Sequence, residues 1–426
     1  MKGMIPDDVD ADADADADAD AVPRKGKVVT TKPPPILPDE LIEEILLRIP
    51  ARSLVRLRNS VCSSWRTLIS SSQFAKDHLR RSMAVDPALT HPRIACYGQT
   101  YLYPTIGVFS VRSVMGNPPR EPTKVVPYDY EGSFRLIIGS CNGLMCLHDE
   151  EGQAMLWNPC TGFTSQPLEI GCLLSICGFG YDHVNDKYKL FAVVKKKSGE
   201  SVSRMFTFGP NSTWRTIQDF PHKLGDRNYR GSMVDLVGLF VSGTGTLNWL
   251  FHRYLSFVWV LSLDLVKETY SQFSLPSRDS DDDHRVAPQL GILRDSLAVC
   301  YETKKTHWTV WLMKDYGVPQ SWTKLAIIPH HPRLDRRPSS LRPIYMLKNV
   351  LLVFTPCGEF VLCNLNDGSI DFPNIDSSSD YMPRPRPLTQ YSYERIFQLY
   401  HESLVSPSHF GLPSCSSEMR LMKPSL

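Results

Sequence analysis

The hydrophobic positions near the start of the chain follow a helical period. Between residues 37 and 74, apolar side chains recur at a spacing of four, at Leu41, Ile45 and Ile49 and again at Ile42 and Leu46. Pro38 suits a first helical position, and Pro50 is a residue that ends a helix. Shorter apolar repeats follow, from Leu54 to Val61 and from Trp65 to Ile69. The pattern predicts three short helices in a small unit that covers residues 36–82.

This helical unit has more apolar surface than it can bury by itself. About 40 residues are too few for a self-sufficient core. The first helix is apolar on more than one face, because Leu47 joins the positions named above. Either the surplus face packs against the next domain, or it is exposed for a partner. The pattern alone leaves both possibilities open.

From Pro92 to Pro407 the pattern changes to short strands that alternate with turn residues. One unit, an apolar strand, a tight polar turn and a second strand, recurs at 155–163, 258–273 and 360–368, with weaker copies between them. The resulting period of about 50 residues is typical of a kelch-type propeller blade. Residues 92–407 are therefore predicted to form an all-β, propeller-like domain of about six degenerate blades. A pair of β-sandwich sheets is the competing architecture.

A propeller needs a device that closes its ring, because free strand edges promote aggregation. The last blade normally takes strands from both ends of the domain. Tyr393–Val405 is the last apolar, aromatic-rich stretch. It is predicted to pair near the strands that begin around Arg93–Tyr97 and Val108–Val111, whereas residues 408–426 are predicted to be a disordered tail.

The first 35 residues are predicted to stay unfolded. Asp and Ala alternate from Asp10 to Ala21, a basic stretch follows, and the run Pro33 to Pro35 ends the segment. Like charges repel, alanine buries little, and consecutive prolines stay extended. The predicted fold class is therefore α+β multidomain, in which a three-helix unit is separate from the β domain and disordered tails stand at both ends.

Composition and charge exclude several functional classes. In 426 residues, 47 Lys and Arg nearly balance 45 Asp and Glu, which gives a net charge of +2. This balance argues against a general nucleic-acid or membrane-surface binder. Eleven cysteines without a C-x-x-C pair argue against a zinc ribbon and a fully paired disulfide framework. Because the chain lacks a secretory pattern and a long apolar run, we expect a cytoplasmic and/or nuclear protein.

Two groups of sequence strings resemble a known family. Leu37–Pro50, followed by Val61-Cys62 and Trp65-Arg66, resembles an F-box. The downstream strings resemble, in shared order, the F-box-associated domain of the large plant F-box family: Ser140–Leu147, Leu156–Pro159, Gly178–Asp182, Asp186–Lys189, Gly245–Trp249, Trp311–Gly317, Ser321–Leu325 and Tyr400–Pro407. The resemblance covers residues 37–407, nearly everything that is predicted to fold.

The resemblance implies a function and a set of site residues. In that family the F-box docks onto the Skp adaptor of a cullin ubiquitin ligase, and the following domain captures a protein substrate. The implied protein is a substrate-recognition subunit without catalytic residues, metal or cofactor, and it binds neither nucleic acid nor membrane. The positions that match the adaptor-binding motif are Leu37, Pro38, Leu41, Ile45, Leu46, Ile49, Pro50, Leu54, Val61, Cys62, Trp65 and Ile69.

Several details of the F-box motif lead to specific expectations. Leu37 stands where a capping residue would be favoured, so its side chain is expected to be buried. Cys62 is expected to be a small buried side chain, and Trp65 a core aromatic. The family usually has one residue between the Arg-x-Arg of the second helix and Val-Cys, but here Asn59 and Ser60 are two. Because Asn and Ser suit a turn, the turn is expected to absorb the extra residue.

The catalytic and metal-binding motifs that the sequence partly matches each lack an essential residue. Gly178-Phe-Gly180 lacks the third glycine of a dinucleotide-binding loop, and His401-Glu402 lacks the second histidine of a zinc protease. The acidic run at 279–283 has neither the glycine nor the closing glutamate of a calcium loop. Two other hypotheses remain: an F-box protein that binds or sequesters a partner without directing its ubiquitination, and a propeller-fold enzyme.

Overall fold

A computed structural model of the chain describes residues 37–84, 92–99, 104–116, 126–129, 134–149, 151–170, 176–195, 201–210, 212–221, 233–234, 237–253, 257–277, 287–303, 306–334, 341–355, 359–375, 397–413 and 420–421. By its internal contacts the chain separates into two units, residues 1–42 and residues 43–426. The second unit contains the β domain and most of the helical region. The predicted disordered segment 1–35 lies outside the described residues.

Four helices precede the strands: α1 (Asp39–Leu46), α2 (Ala51–Ser60), α3 (Ser63–Ser70) and α4 (Ser72–Ala84). The prediction of three helices is therefore one too few. Ser71 separates α3 from α4, and its hydroxyl accepts a hydrogen bond from the Phe74 N–H at 3.1 Å, as an N-cap residue does. The buried residues Phe74, His78 and Ser82 recur four apart, and this spacing gives α4 one inward face.

The described strands follow in chain order. They are β1 (Pro92–Gln99), β2 (Pro104–Ser110), β3 (Val126–Asp129), β4 (Phe134–Cys141), β5 (Leu144–Asp149), β6 (Gln153–Trp157), β7 (Leu168–Glu169), β8 (Ile176–Asp182), β9 (Lys187–Lys195), β10 (Ser201–Thr207), β11 (Trp214–Thr216), β12 (Met233–Val234), β13 (Leu239–Val241), β14 (Thr246–Arg253), β15 (Phe257–Asp264), β16 (Tyr270–Ser274), β17 (Gln289–Leu293), β18 (Ser296–Thr303), β19 (His307–Met313), β20 (Trp322–Pro329), β21 (Arg342–Leu347), β22 (Val350–Phe354), β23 (Phe360–Asn364), β24 (Ile370–Asp371), β25 (Phe397–His401) and β26 (Arg420–Leu421). A short helix, α5 (Val111–Met115), lies between β2 and β3.

These strands form six antiparallel sheets of four or five strands each. We number them as blades: blade 1 is β4–β7, blade 2 β8–β11, blade 3 β12–β16, blade 4 β17–β20 and blade 5 β21–β24. Blade 6 has the order β25-β1-β2-β3-β26, so it combines strands from both ends of the domain. This arrangement is a six-bladed β-propeller, which confirms the predicted blade number. The alternative with two sandwich sheets is wrong.

Pairing of β25 with β1 closes the ring. The two strands are antiparallel, in a register that sets His401 opposite Pro92 and Phe397 opposite Cys96. β2 continues the sheet on the other side of β1. The last aromatic stretch therefore pairs with the first strand, as the sequence predicted, and β25 becomes the inner strand of blade 6.

The hydrophobic core is distributed between the blades. Among the described residues, six clusters of buried side chains each combine residues from two adjacent blades. Trp157 packs between blades 6 and 1, Trp249 between blades 2 and 3, and Trp308 between blades 4 and 5. Full burial of a large apolar side chain contributes about 1.5–3 kcal/mol. Each blade therefore stabilises its neighbours, and loss of blade 6 would expose the two clusters that it shares with blades 1 and 5.

The recurring sequence unit corresponds to one kind of turn in alternate blades. The segments 158–162, 264–268 and 364–368 each join the third strand of a blade to the fourth, in blades 1, 3 and 5. In each turn the first side chain accepts a hydrogen bond from the N–H two residues later, at 2.8, 2.8 and 3.0 Å. The last residues, Gly162, Glu268 and Gly368, have φ values of 80°, 57° and 71°, a conformation that suits glycine. Because these blades alternate, the repeat interval spans two blades.

The folded chain continues past the predicted end of the domain at Pro407. Pro407–Phe410 is a 3₁₀ helix, and the centre of the Phe410 ring lies 4.6 Å from that of Tyr188. Leu412 is buried, and Arg420–Leu421 pairs with β3. The prediction of a disordered tail over residues 408–426 therefore needs correction, because apolar side chains of this segment pack against blades 1 and 2.

Chains that end at Pro387 or at Pro407 test this account of the closure. The first lacks β25, so it should lose the cooperative thermal transition of the propeller. The second keeps β25 but lacks Phe410 and Leu412, and its free energy of unfolding should fall by about 3 kcal/mol, as expected for one to two buried apolar side chains. Both are compared with the full chain by thermal and urea melting. A Pro387 chain that melts like the full chain would contradict ring closure by β25.

Candidate interaction surfaces

The first helix presents large aliphatic side chains to solvent. On α1, Leu41 is 51% exposed and Ile45 is 49% exposed, whereas Leu46 is fully buried. Leu41 and Ile45 are four residues apart, so they lie on one helical face. Exposed aliphatic side chains grouped in this way are typical of a surface that a protein partner covers.

The residues in front of α1 are exposed as well. Leu37 is 51% exposed, so the expectation of a buried side chain is wrong for this chain by itself. The carbonyl oxygen of Pro38 accepts hydrogen bonds from the N–H groups of Leu41 and Ile42 at 3.0 and 3.1 Å. Backbone hydrogen bonding therefore starts the helix here, without burial of the Leu37 side chain.

A second exposed site lies where α2 meets α3. Val61 is 47% exposed, and Cys62 is exposed too. Cys62 occupies the N-cap position of α3, where its Sγ lies 3.0 Å from the Oγ of Ser64, and this hydrogen bond lowers the pKa of the thiol. The expectation that Cys62 is a small buried residue is therefore wrong, because the capping position holds the side chain at the surface.

The extra residue before Val61 is accommodated within α2 and not, as expected, in the turn. The helix extends to Ser60, whose hydroxyl donates a hydrogen bond to the carbonyl oxygen of Arg56 at 3.1 Å. The N–H of Val61 still bonds to the carbonyl oxygen of Leu57, also at 3.1 Å. One added residue rotates the end of a helix by about 100°. The longer α2 therefore sets the direction in which Val61 and Cys62 are presented.

The other predicted adaptor-binding residues lie inside the helical region or at its margin. Leu46, Leu54 and Ile69 are at most 2% exposed, so they hold the helices together. Ile49, Pro50 and Trp65 are half-buried. The structure thus divides the predicted set into a packing group and an exposed group, and the exposed group consists of Leu37, Pro38, Leu41, Ile45, Val61 and Cys62.

A buried carboxylate joins the helical region to the propeller. Glu402 forms an ion pair with Arg52 of α2 at 3.0 Å and another with Arg93 of β1. Its side chain is only 2% exposed, so the two guanidinium groups must compensate for the loss of water around the charge. Glu402 directly follows β25, so one side chain connects ring closure to the position of α2. Glu402 belongs to the predicted closing stretch Tyr393–Val405 and to the family-like string Tyr400–Pro407, but neither pattern indicates an ion pair with α2.

Further contacts attach α2 and α4 to the propeller. Lys76 of α4 pairs with Asp186 in the β8–β9 turn. The guanidinium carbon of Arg58 in α2 lies 5.4 Å from the centre of the Phe163 ring. The helical region is therefore not the separate unit that the sequence suggested, because charged side chains of α2 and α4 have their partners in the β domain.

Three of the family-like sequence strings come together at the segment that follows β25 in the chain. They are Ser140–Leu147, Leu156–Pro159 and Tyr400–Pro407. Asn142 and Gly143 form the β4–β5 turn with φ values of 53° and 82°, and a Cβ atom at Gly143 would overlap Ser403. The Ser403 hydroxyl donates to the carbonyl oxygen of Asn142 at 2.7 Å. The side-chain amide of Asn158 donates to the carbonyl oxygens of Ser403 and Val405 at 3.0 and 2.6 Å. These strings therefore hold the closing segment in place.

The strings in blade 2 form a buried charge cluster. The Nζ atom of Lys189 lies 2.8 Å from Asp182 and 3.0 Å from Glu268 of blade 3. Burial acts to raise the pKa of Asp182, but hydrogen bonds, chiefly from Lys189, outweigh it and lower the pKa. A Cβ atom at Gly178 would lie only 2.8 Å from Leu247 of blade 3. The glycine and the charges of these strings therefore serve contact between two blades.

The grouping of possible metal ligands can be checked within the described ranges. In those ranges, no three His, Cys, Asp or Glu side chains are grouped so that they could hold a metal ion. His330 lies 3.1 Å from Glu302, whereas the ring of His331 lies 5.5 Å from that of Phe372, so the two adjacent histidines have different surroundings. The acidic run at 279–283 is outside the described residues. None of the described helices has the length and hydrophobicity to cross a bilayer.

Comparison with known proteins decides the family. The model of the F-box associated beta propeller domain matches residues 110–369, more than half of the chain. The chain belongs to this family. The F-box domain model matches residues 35–77. An F-box/kelch-repeat protein from Arabidopsis thaliana is 28% identical over 87% of this chain and 96% of its own length. F-box protein CPR1 from the same plant is 25% identical over 80% of this chain and 82% of its own length.

The closing strands of this F-box protein lie outside the matched propeller range. That range ends at residue 369, before β25, and begins after β1. Among solved structures, TolB from Acinetobacter baumannii has a TM-score of 0.39 and 11% identity, covering 71% of this chain and 70% of its own. A similarity this low carries no argument about function.

Glu402 lies outside the residues that the propeller model matches. Its contacts with Arg52 and Arg93 are therefore known only from the three-dimensional structure of this chain.

Replacing Glu402 with Gln tests the link between ring closure and the helices. The change keeps the volume but removes the charge that faces Arg52 and Arg93, and breaking a buried ion pair costs about 3–5 kcal/mol. Because Arg52 is 30% exposed, we expect the free energy of unfolding in urea to fall by about 3 kcal/mol, the lower end of that range.

A matched control is Glu359→Gln, which removes an exposed ion pair with Arg333 whose closest atoms are 3.4 Å apart. Exposed pairs contribute about 0–1 kcal/mol, so this variant should unfold nearly like the unaltered protein. If both variants lost the same free energy of unfolding, the ion pairs of Glu402 would contribute no more to stability than an exposed ion pair, which would contradict this prediction.

Proposed function

We propose that this F-box protein is the substrate-recognition subunit of a Skp–cullin–F-box ubiquitin ligase. The observation that carries the proposal is the exposure of Leu41 and Ile45 on α1, at positions that the F-box motif assigns to the adaptor. Burial of apolar surface contributes about 25 cal/mol per Å², so covering these side chains would favour a complex. The match of the chain to both domain models supports the same role.

The adaptor is proposed to contact the exposed group of the F-box residues. Leu41 and Ile45 would supply one contact, and Val61 and Cys62 a second one at the α2–α3 junction. Leu46, Leu54 and Ile69 would act indirectly, because their burial fixes the helices that carry the exposed side chains. Substitution of these three buried residues would therefore lower the stability of the protein before it changed any contact with a partner.

The propeller is proposed to capture a protein target on the face away from α4. Leu79 and Ser82 of α4 line one cavity together with Asn142 and Gly143, the turn after the inner strand β4. Lys76 of α4 pairs with Asp186 in the turn after the inner strand β8, so α4 occupies the face of the ring where the inner strands end. The other face, where these strands begin, is the proposed target surface, in keeping with the frequent placement of binding residues on loops over a rigid scaffold.

Such a subunit works by placing its target. Holding a target near the charged conjugating enzyme raises the effective concentration of the target's lysines. Because Glu402 and Lys76 attach the helices to the propeller, packed elements would set the distance from adaptor to target. In this proposal the chain supplies no catalytic residue, metal or cofactor, and it acts in the cytoplasm, the nucleus or both.

Two alternative functions make different predictions. A protein that only sequesters its partner would share the adaptor contact but would not direct ubiquitination. Targets can be captured by proximity labelling in native cells with the ligase inhibited, and then offered to a reconstituted ligase with and without this chain. Ubiquitination that depends on the chain excludes sequestration alone. A propeller-fold oxidase would bring a metal, which elemental analysis of the purified protein would detect.

The adaptor contact is tested by changing Leu41 and Ile45 to Asp together. The two carboxylates introduced on this face of α1 would have to be desolvated in a complex. Affinity for a purified Skp-type adaptor should therefore fall at least a hundredfold, about 2.7 kcal/mol. Calorimetric titration measures the affinity, and thermal melting checks that the protein is folded.

The control for this experiment changes Val318 and Ile327 to Asp. These aliphatic residues are 44% and 53% exposed, and both lie on the propeller, so the same chemical change should leave adaptor binding unaltered. Adaptor binding that survives the change on α1, or that is lost equally in the control, would refute the assignment of this helix.

Deletion of Asn59 tests the longer α2. The end of the helix would rotate by about 100°, which would turn Val61 and Cys62 away from their present direction. We expect adaptor affinity to fall at least tenfold, about 1.4 kcal/mol. Asn59→Ala keeps the helix length and should bind normally. An affinity that is unchanged by the deletion would show that the turn can absorb the residue after all.

A further inference from the structure

A cavity of about 840 Å³ lies at the centre of the propeller. Inner strands of blades 1, 3, 4, 5 and 6 line it, and Leu79, Ser82 and Met83 of α4 line it on the side of the helices. Small-molecule sites in proteins commonly measure about 300–1,000 Å³ and combine apolar walls with a few polar groups. This cavity has the size of such a site, and the proposed adaptor and target contacts do not use it.

The walls of the cavity are largely aliphatic and aromatic. Phe240 and Ile292 come from the inner strands of blades 3 and 4, and Ile344 and Leu347 from blade 5. Leu79 adds an apolar side chain from α4. A ligand with an apolar body would therefore remove apolar surface from water when it entered, which is the main favourable contribution to binding in such sites.

Among the described residues, the lining of the cavity carries more positive than negative charge. Arg294, Arg342 and Lys348 line the cavity, and within the described residues no carboxylate forms an ion pair with any of them. The acidic residue of the lining, Asp295, is already engaged, because its two oxygens accept hydrogen bonds from backbone N–H groups of the β13–β14 turn at 3.0 and 2.7 Å. The three cationic side chains of the lining therefore favour an anionic ligand.

Arg294 and Lys348 both line the cavity, and the Arg294 side chain is held at the backbone of Lys348. Arg294 Nη2 donates to the carbonyl oxygen of Lys348 at 3.4 Å, which holds its guanidinium beside the β21–β22 turn. His401 also lines the cavity, and its Nδ1 is buried without a hydrogen-bond partner among the described residues. Burial lowers the pKa of this imidazole, which disfavours a further positive charge at this position.

We propose that the axial cavity binds an amphipathic organic anion. Its acidic group would pair with Arg294 and Lys348, and its apolar body would lie along the inner strands. Such a ligand contacts Met83 and Leu79 as well as the propeller, so its binding stabilises the packing of α4 on the ring. The inference does not depend on the ligase role, because it concerns binding by the purified chain alone.

The probe is 8-anilinonaphthalene-1-sulfonate, a dye that joins apolar rings to a permanent negative charge and fluoresces in apolar surroundings. Titrated into the purified full chain, it should show one saturable site and raise the melting temperature. The double change Arg294→Gln and Lys348→Gln should weaken dye binding at least tenfold. The matched control, Arg204→Gln with Lys314→Gln, removes the same charge from exposed positions outside the cavity and should bind like the unaltered protein.

A neutral dye separates the role of charge from that of the apolar walls. N-phenyl-1-naphthylamine should bind the unaltered chain and the Arg294/Lys348 variant equally well. Met83→Trp places a bulky ring at the cavity and should weaken both dyes, while thermal melting confirms that this variant is folded. Anionic-dye binding that is unchanged in the Arg294/Lys348 variant, or that falls equally in the control variant, would overturn the proposal.

Discussion

Two strands that are about 300 residues apart in the sequence, β1 and β25, pair to make the sixth blade. In a ring of sheets each blade buries its apolar faces only against two neighbours, so stability depends on whether the ring is complete. Without β25, blade 6 would lose its inner strand, and the clusters that it shares with blades 1 and 5 would be exposed to water. The contacts of Asn158 and Gly143 with the segment after β25 serve this same closure.

The closure also positions the helical region. Glu402, the residue after β25, holds Arg93 of the first strand and Arg52 of α2 around one buried charge. A buried carboxylate is stable only when its partners are present, so the state of the ring and the position of α2 are energetically coupled. The ion pairs of Arg52 and Lys76 therefore hold α2 and α4 in a defined position on the propeller.

The F-box leaves apolar side chains exposed because its helices are short. Leu46, Leu54 and Ile69 fill the small core that four short helices can form. Leu41, Ile45 and Val61 cannot reach that core and are half exposed. The helical spacing of these apolar residues predicted the helices. It does not separate the core residues from the exposed residues, since both recur at similar spacings. Only packing decides which side chain faces inward.

Short-range patterns in the sequence predicted most of the local structure of this protein. Helical and strand periods, the turns that recur in alternate blades and the ordered family strings were enough to predict a helical unit followed by about six blades, because these signals depend on neighbouring residues. The tertiary structure decided what distant residues do together: the pairs of Glu402, the burial of Leu412, the exposure of Cys62, the extension of α2 through Ser60 and the charged axial cavity. These features arise from contacts between segments far apart in the chain or from competition between helix and turn. The energies of these contacts depend on tertiary packing, which a local sequence pattern does not show.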